Sequence, residues 1–214
     1  MDNYFKSKEV SNSDLTALDQ YFNPSKQFGD PEIAFRFGNL FDYLCTEPHR
    51  VNFFKRIIEG YAEPFEKPVW QVAEEMKKSL YKDAFYNQIR QLATYQAIFK
   101  SRVNFEYGSI NFALNMRCKY DFFMKPLGWG GDLKSTSCTN YRQFLEACYH
   151  FSYPRSRVLY MLLSGAKKDI IIGVSKVNYK VFKVPIEYGD SFFNDGLQEL
   201  KELAFKYWYL YENF

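Results

Sequence analysis

The stretch from Ile110 to Ser135 constrains this chain more than any other. Ile110, Phe112, Leu114, Met116, Cys118 and Tyr120 alternate with Asn111, Ala113, Asn115, Arg117, Lys119 and Asp121. A period of two with one apolar and one polar or small set is the pattern of a half-buried strand. Asp121 ends the alternation on the polar side, a Pro-Gly turn signal follows from Pro126 to Gly131, and Asp132-Leu133-Lys134-Ser135 supplies a second short strand. Asp132 and Lys134 then share one face, and Leu133 points into the core.

Two carboxylates and a lysine gathered by a hairpin are the parts required for metal-assisted phosphodiester hydrolysis. Carboxylates hold a hard, oxygen-seeking cation such as Mg²⁺, which clamps a scissile phosphate and helps deprotonate water. An ammonium placed as Lys134 is can orient that water or offset charge developing on the phosphate.

The order Asp121, turn, Asp132-x-Lys134 resembles the PD-(D/E)xK nuclease superfamily, and within it the RecE and RecB-type exonuclease branch with its phage-borne relatives. Flanking segments extend the likeness over roughly residues 10 to 186. Val10-Ser11-Asn12-Ser13-Asp14-Leu15 is similar to that branch's Ser-rich helix start. Phe37-Gly38-Asn39-Leu40-Phe41-Asp42 looks like its Gly-x-x-x-His helix with Asp42 at the His position, and Glu47-Pro48 follows where a Glu-Pro often does. Tyr153-Pro154-Arg155-Ser156-Arg157-Val158-Leu159-Tyr160 is similar to its Tyr-x-x-Gln-x-x-x-Tyr helix, with Ser156 in place of the Gln.

The resemblance implies an α/β fold with a PD-(D/E)xK, restriction-endonuclease-like core, a mixed central sheet flanked by helices and a helical N-terminal portion. It implies Mg²⁺, with Mn²⁺ as a substitute, held by Asp42, Asp121, Asp132 and Leu133. Catalysis would fall to Asp121, Asp132, Lys134 and Tyr160, and DNA contact to Ser135, Ser156 and Arg157. The resemblance places this helix beside the active site and makes Arg157 a candidate phosphate ligand; because Ser156 is shorter than Gln, either Arg157 takes over its contact or activity is altered. For Asp42 the alternative is a capping or salt-bridging role on the helix surface.

With 214 residues, a hydrophobic share of 47%, and 18 Tyr and 22 Phe, the chain can bury one sizeable core. We read a single domain: residues 1–101 mainly helical, residues 102–214 the sheet core with hairpin and closing helix. A net charge of +3 does not by itself announce a nucleic-acid binder. No apolar run approaches the roughly eighteen residues of a membrane span, and Met1-Asp2-Asn3-Tyr4-Phe5 lacks the pattern of a signal peptide. A cytoplasmic protein is expected. Cys45, Cys118, Cys138 and Cys148 lack the close pairing of zinc or iron–sulfur sites and read as reduced apolar fillers.

Along the chain, helices are expected over residues 12–22, from Pro31 through Leu44, over 51–61, 69–81 and 83–100, and the first strand over 102–107. Gly38 within its helix points either to close approach of a backbone or DNA, or to tight helix packing. Arg50, Lys55, Arg56, Lys77, Lys78 and Lys82 either line a DNA channel or form solvated helix faces. Glu106 falls at an acidic position by resemblance and otherwise reads as an exposed strand carboxylate. Beyond Lys134 the spacing gives two helices, a buried strand over Ile170–Val174, a partner strand through Ile186 and a final helix from Asp190.

Taken together, these expectations describe a Mg²⁺-dependent DNA exonuclease acting on duplex ends in phage or mobile-element recombination or repair. A single-strand annealing protein and further copies of this chain are its expected partners. A second reading is a catalytically weak or inactive nuclease-fold protein that binds DNA or a protein. A third is an ordinary exposed edge strand in an unrelated α/β protein.

Overall fold

The structure, a computed structural model, describes residue 4, residues 7–24 and residues 30–212. The reading of Met1 to Phe5 falls, Tyr4 apart, outside them. Elements follow in the order α1 (Asn12–Phe22), α2 (Pro31–Thr46), β1 (Val51–Asn52), β2 (Ile57–Ile58), α3 (Lys67–Lys82), α4 (Ala84–Ile89), β3 (Thr94–Tyr107), β4 (Ile110–Met124), β5 (Trp129–Thr136), α5 (Tyr141–His150), α6 (Tyr153–Ser164), β6 (Lys168–Ser175), β7 (Val181–Glu187) and α7 (Ser191–Tyr211).

Strands β3 to β7 lie in sequence order in one five-stranded sheet. Pairing is antiparallel except between β5 and β6, which run parallel because α5 and α6 cross over between them. The sheet is therefore mixed and covered by helices on both faces.

Alternation sorts the strands between two cores, and β4 changes phase at Asp121, so that Tyr120 and Phe123 face one core and Phe122 and Met124 the other. Tyr120, Phe123, Ile171, Val184 and Ile186 pack with residues of α1, α5, α6 and α7. Phe122, Met124, Leu133, Ile170, Ile172 and Val174 pack with α2, α3 and α4. Ile171, Ile172 and Val174 are fully buried, as a strand covered on both sides requires. Fixed N-caps start the helices that frame the sheet: Asp30 accepts from the Glu32 and Ile33 amides, Asn140 from Gln143 and Asp190 from Phe193.

One expected helix is absent and another is shortened. Residues 51–61 form the small antiparallel hairpin β1–β2, in which β-branched Val51, Ile57 and Ile58 favour extension and the Asn52 side chain accepts from the Lys55 amide to close the turn. The helix expected over 83–100 stops at Ile89, and β3 begins at Thr94 rather than Arg102. The run Thr94, Tyr95, Ile98, Phe99 and Val103 suits a strand, and the 15 residues of β4 offer it a ladder along its whole length. The boundary between the helical portion and the sheet core therefore falls before Thr94. Likewise β4 does not end at Asp121 but runs on through buried Phe122, Phe123 and Met124. No helix among the described residues is long and apolar enough to cross a membrane.

Gly196 sets how closely α7 approaches α6. A Cβ there would lie 2.4 Å from both the carbonyl carbon and the oxygen of Pro154, which are backbone atoms unable to swing aside. We expect Gly196→Ala to force the two helices apart and to cost about 1–3 kcal/mol. Chemical denaturation of the two proteins checks this, and an unchanged midpoint would refute the packing argument.

Candidate active site

The sheet opens at Asp121. On one side the β4–β5 ladder consists of Met124 with Trp129, Phe123 with Gly130 and Phe122 with Gly131, and then the strands part. On the other, β3 pairs with β4 on both sides of Asp121, yet Gln96, the residue opposite it in register, is left out. Gln96 has φ 54°, a left-handed conformation that a non-glycine residue seldom adopts. Asp121 is thus the point where β4 leaves both ladders.

Its carboxylate takes over from the missing β5 rung: Oδ2 accepts the Leu133 amide at 2.7 Å. In an extended strand the N–H and C=O of one residue point the same way, so the Leu133 carbonyl faces the Asp121 side as well. The Leu133 side chain goes to the opposite purpose, buried among Ile170, Ile172 and the helices of the second core.

Asp132 and Lys134 share the other face of β5, as their spacing requires. Lys134 Nζ lies 2.5 Å from Asp132 Oδ2, and its ammonium stands 5.3 Å from the centre of the Tyr153 ring. Burial works to lower the Lys134 pKa, but the Asp132 and Asp121 carboxylates outweigh it and raise it, so the side chain stays charged. Burial, then the neighbouring Asp132 and Asp42 charges, hold the Asp121 carboxyl well above the usual carboxylate range.

Asp42 reaches the same region from α2. Phe37, Leu40, Phe41 and Leu44 seat that helix on the sheet beside Leu133, and Gly38 lies over β5, where a Cβ would sit 3.9 Å from Ser135 Oγ. That is ordinary contact, so Gly38 is not required here for close approach. Burial pushes the Asp42 carboxyl up to about 6, against the lowering effect of its Thr46 hydrogen bond and of Lys134, and with Asp132 adding to the rise. The surface-cap alternative for Asp42 does not hold. Nor is a three-carboxylate cage preassembled: among the described residues no three His, Cys, Asp or Glu side chains are grouped to hold a metal ion. Thr46 and Gln96 engage the Asp42 oxygens, and Lys134 engages Asp132.

Arg157 corrects the sequence reading. Its side chain is 1% exposed and points inward, where Nε and Nη2 meet the two Asp169 oxygens at 3.0 and 2.9 Å and Nη1 meets Asp132 Oδ1 at 3.3 Å. A guanidinium so enclosed is not available to a DNA phosphate. Burial opposes its charge, yet Asp169 and Asp132 raise its pKa well above the ordinary value. Tyr160 packs its ring 4.2 Å from the guanidinium carbon and edge-on to Tyr120 at 5.0 Å. Burial raises the phenol's pKa against the pull of Arg157, over whose guanidinium the ring packs. Ser156 Oγ donates to the Tyr153 carbonyl of its own helix at 3.1 Å.

The sequence reading missed Asp169, Gln96 and Thr46. An Asp directly before the apolar run Ile170-Ile171-Ile172 was the available signal for the first. Of the basic residues considered for a DNA channel, Arg50 is held by Glu47 and Glu59 at 2.8 Å each, Arg56 donates to the Phe65 carbonyl and Lys78 pairs with Glu75. Glu106 is exposed on β3. Cys45, Cys118 and Cys148 are buried free thiols, and Cys138 is half-buried.

No protein-family model matches the chain, and no curated protein matches it significantly. Among solved structures it is similar to a protein from Eubacterium rectale described as a candidate exonuclease, at 14% identity and a TM-score of 0.54, over 87% of this chain and 70% of that one. A phage-related exonuclease from Haemophilus somnus 129PT matches at 17% identity and a TM-score of 0.39, over 70% and 74% of the two chains. The likeness to the first is one of fold: a five-stranded mixed sheet flanked by helices, of the nuclease-like kind.

Proposed function

We propose that this protein is a metal-dependent deoxyribonuclease of the PD-(D/E)xK type, in the RecE and RecB-like branch, and that it works as an exonuclease on duplex ends. The observation that carries this reading is the opening of the sheet at Asp121. It sets one half-buried carboxylate against the Leu133 amide and leaves Asp132 and Lys134 beside it on one face of β5. Such a break in two ladders costs stability, and features of that kind cluster at functional sites.

The residues present fit a hard divalent cation. Asp42, Asp121, Asp132 and Asp169 face the two cations Lys134 and Arg157, an excess of two negative charges when all are ionised. Mg²⁺ characteristically takes one or two carboxylates and keeps several waters, so a complete protein cage is not needed. Asp121, Asp132 and the Leu133 carbonyl would hold it, with Asp42 alongside. When bound, it would polarise the phosphate and lower the pKa of water. Lys134, raised in pKa, cannot serve as a base; it can orient water or offset charge on a phosphoryl oxygen. Arg157 holds Asp132 in place from behind.

The incomplete carboxylate grouping favours one second reading, a nuclease-fold protein that binds DNA or a protein partner without cutting. Digestion of end-labelled linear duplex, closed circle and single strand, with Mg²⁺, Mn²⁺, Ca²⁺ or chelator, separates the two. Linear duplex degraded with Mg²⁺ or Mn²⁺, the circle spared and chelator inhibitory is the expected result. Binding without cleavage would establish the second reading, and a cut circle would make the enzyme an endonuclease.

Asp121→Asn, Asp132→Asn and Lys134→Gln should each reduce cleavage by at least about a hundredfold, the scale of losing one ligand or charge stabiliser. Asp132→Asn should also lower stability, because it takes charge away from buried Arg157. Wild-type rates in all three would sink the assignment.

A pH dependence follows from Asp42. Its carboxyl rises from 3.8 to about 6 on folding, so the metal-free protein gains stability below the lower value and loses it as pH rises through the higher one. Relative to Asp42→Asn, the metal-free wild type should lose on the order of 2 kcal/mol between about pH 4 and pH 7, and a divalent cation should restore it above pH 6. Thermal midpoints of both proteins across that range decide the matter; parallel curves would refute it.

A further inference from the structure

Gln96 is a half-buried residue whose backbone is left-handed and whose side chain turns into the site. Its Nε2 donates to Thr46 Oγ1 at 3.0 Å and lies 3.4 Å from Asp42 Oδ2. Thr46 Oγ1 in turn donates to Asp42 Oδ1 and to the Asp42 carbonyl, each at 3.0 Å. Both carboxylate oxygens of Asp42 are therefore directed by neutral donors, one from its own helix and one from the edge strand.

The backbone geometry has a consequence for this contact. A regular β residue at 96 would keep its rung with Asp121 and alternate its side chain between the sheet faces. The left-handed turn of the chain removes that rung and sends the amide towards α2. An unfavourable conformation of this kind persists only where its surroundings fix it.

We infer that Gln96 is a positioning residue for the cation site: through Thr46 and Oδ2 it fixes the direction of the Asp42 carboxylate, the group that would join Asp121 and Asp132 on a cation. This rests on the metal-dependent reading above. A neutral amide is suited to the task, since it fixes direction while leaving the full negative charge of Asp42 for a cation. Outer hydrogen bonds to metal-binding groups commonly alter affinity by about 10–100-fold when removed.

The test uses Gln96→Asn and Gln96→Gly. Asn and Gly both accept left-handed backbone more readily than Gln, and Asn keeps the amide but is one methylene too short to reach Thr46. The expected result is a thermal midpoint equal to or above that of the wild type, with Mn²⁺ or Mg²⁺ affinity by calorimetry weakened about tenfold. The cation concentration for half-maximal cleavage should rise in parallel, with KM for DNA unchanged. Unchanged cation affinity in both variants would overturn the role of Gln96 while leaving the nuclease reading intact. A loss of affinity matched by a fall in thermal midpoint would also overturn it, as damage to the fold rather than to aim. If the wild type itself binds neither cation, the metal-dependent reading fails and this inference with it.

Discussion

The buried guanidinium of Arg157 is the interaction on which the rest of the structure depends. It joins α6 to Asp169 on β6 and Asp132 on β5, with the rings of Tyr120 from β4 and Tyr160 from its own helix beside it. An arginine enclosed in this way needs its carboxylates: breaking such a pair leaves an uncompensated buried charge and costs about 3–5 kcal/mol. Three adjacent strands and one helix are thereby held in register by one side chain. The close seat of α7 on α6 at Gly196 keeps that helix where Arg157 can reach both partners.

Because one of those partners is Asp132, a single carboxylate serves both fold and site. Arg157 takes Oδ1 and Lys134 takes Oδ2. Asp132 cannot rotate away without abandoning a buried cation, so its direction is fixed before any ligand arrives. Asp121 is fixed differently. The strands on either side withdraw from it, and the freed Leu133 amide becomes its donor. Opening the sheet costs hydrogen bonds; the β3–β4 ladder closes again on both sides of Gln96, and β5, parted from β4, stays paired with β6 from Gly130 to Thr136.

Much of this was legible in the sequence because period two is a strong signal. The alternation from Ile110 to Asp121 gave β4, the pair Asp132 and Lys134 gave one face of β5, and the apolar run at Ile170 gave a strand buried on both sides. What failed had physical causes. Residues 94–100 read as helix because an isolated pattern cannot show that β4 offers a partner of matching length. Arg157 read as a surface cation because its buried partner Asp169 lies on another strand, 12 positions away. The contact from Gln96 to Asp42 spans 54 positions and depends on a left-handed backbone that no residue type announces.

The site divides its carboxylates by the kind of donor that holds them. Asp132 is held by two cations, whereas Asp121 is held by a backbone amide and Asp42 by a hydroxyl and a side-chain amide. Cations cancel the charge they orient; neutral donors orient without cancelling. Burial and the charges of neighbouring carboxylates raise the pKa values of Asp121 and Asp42 against the pull of Lys134, while Lys134 and Arg157 stay charged. A site serving only to join elements would gain stability by pairing every carboxylate with a cation or replacing it by an apolar residue. Keeping two half-buried acids directed by neutral donors destabilises the metal-free fold once they ionise, and a bound divalent cation would offset that cost.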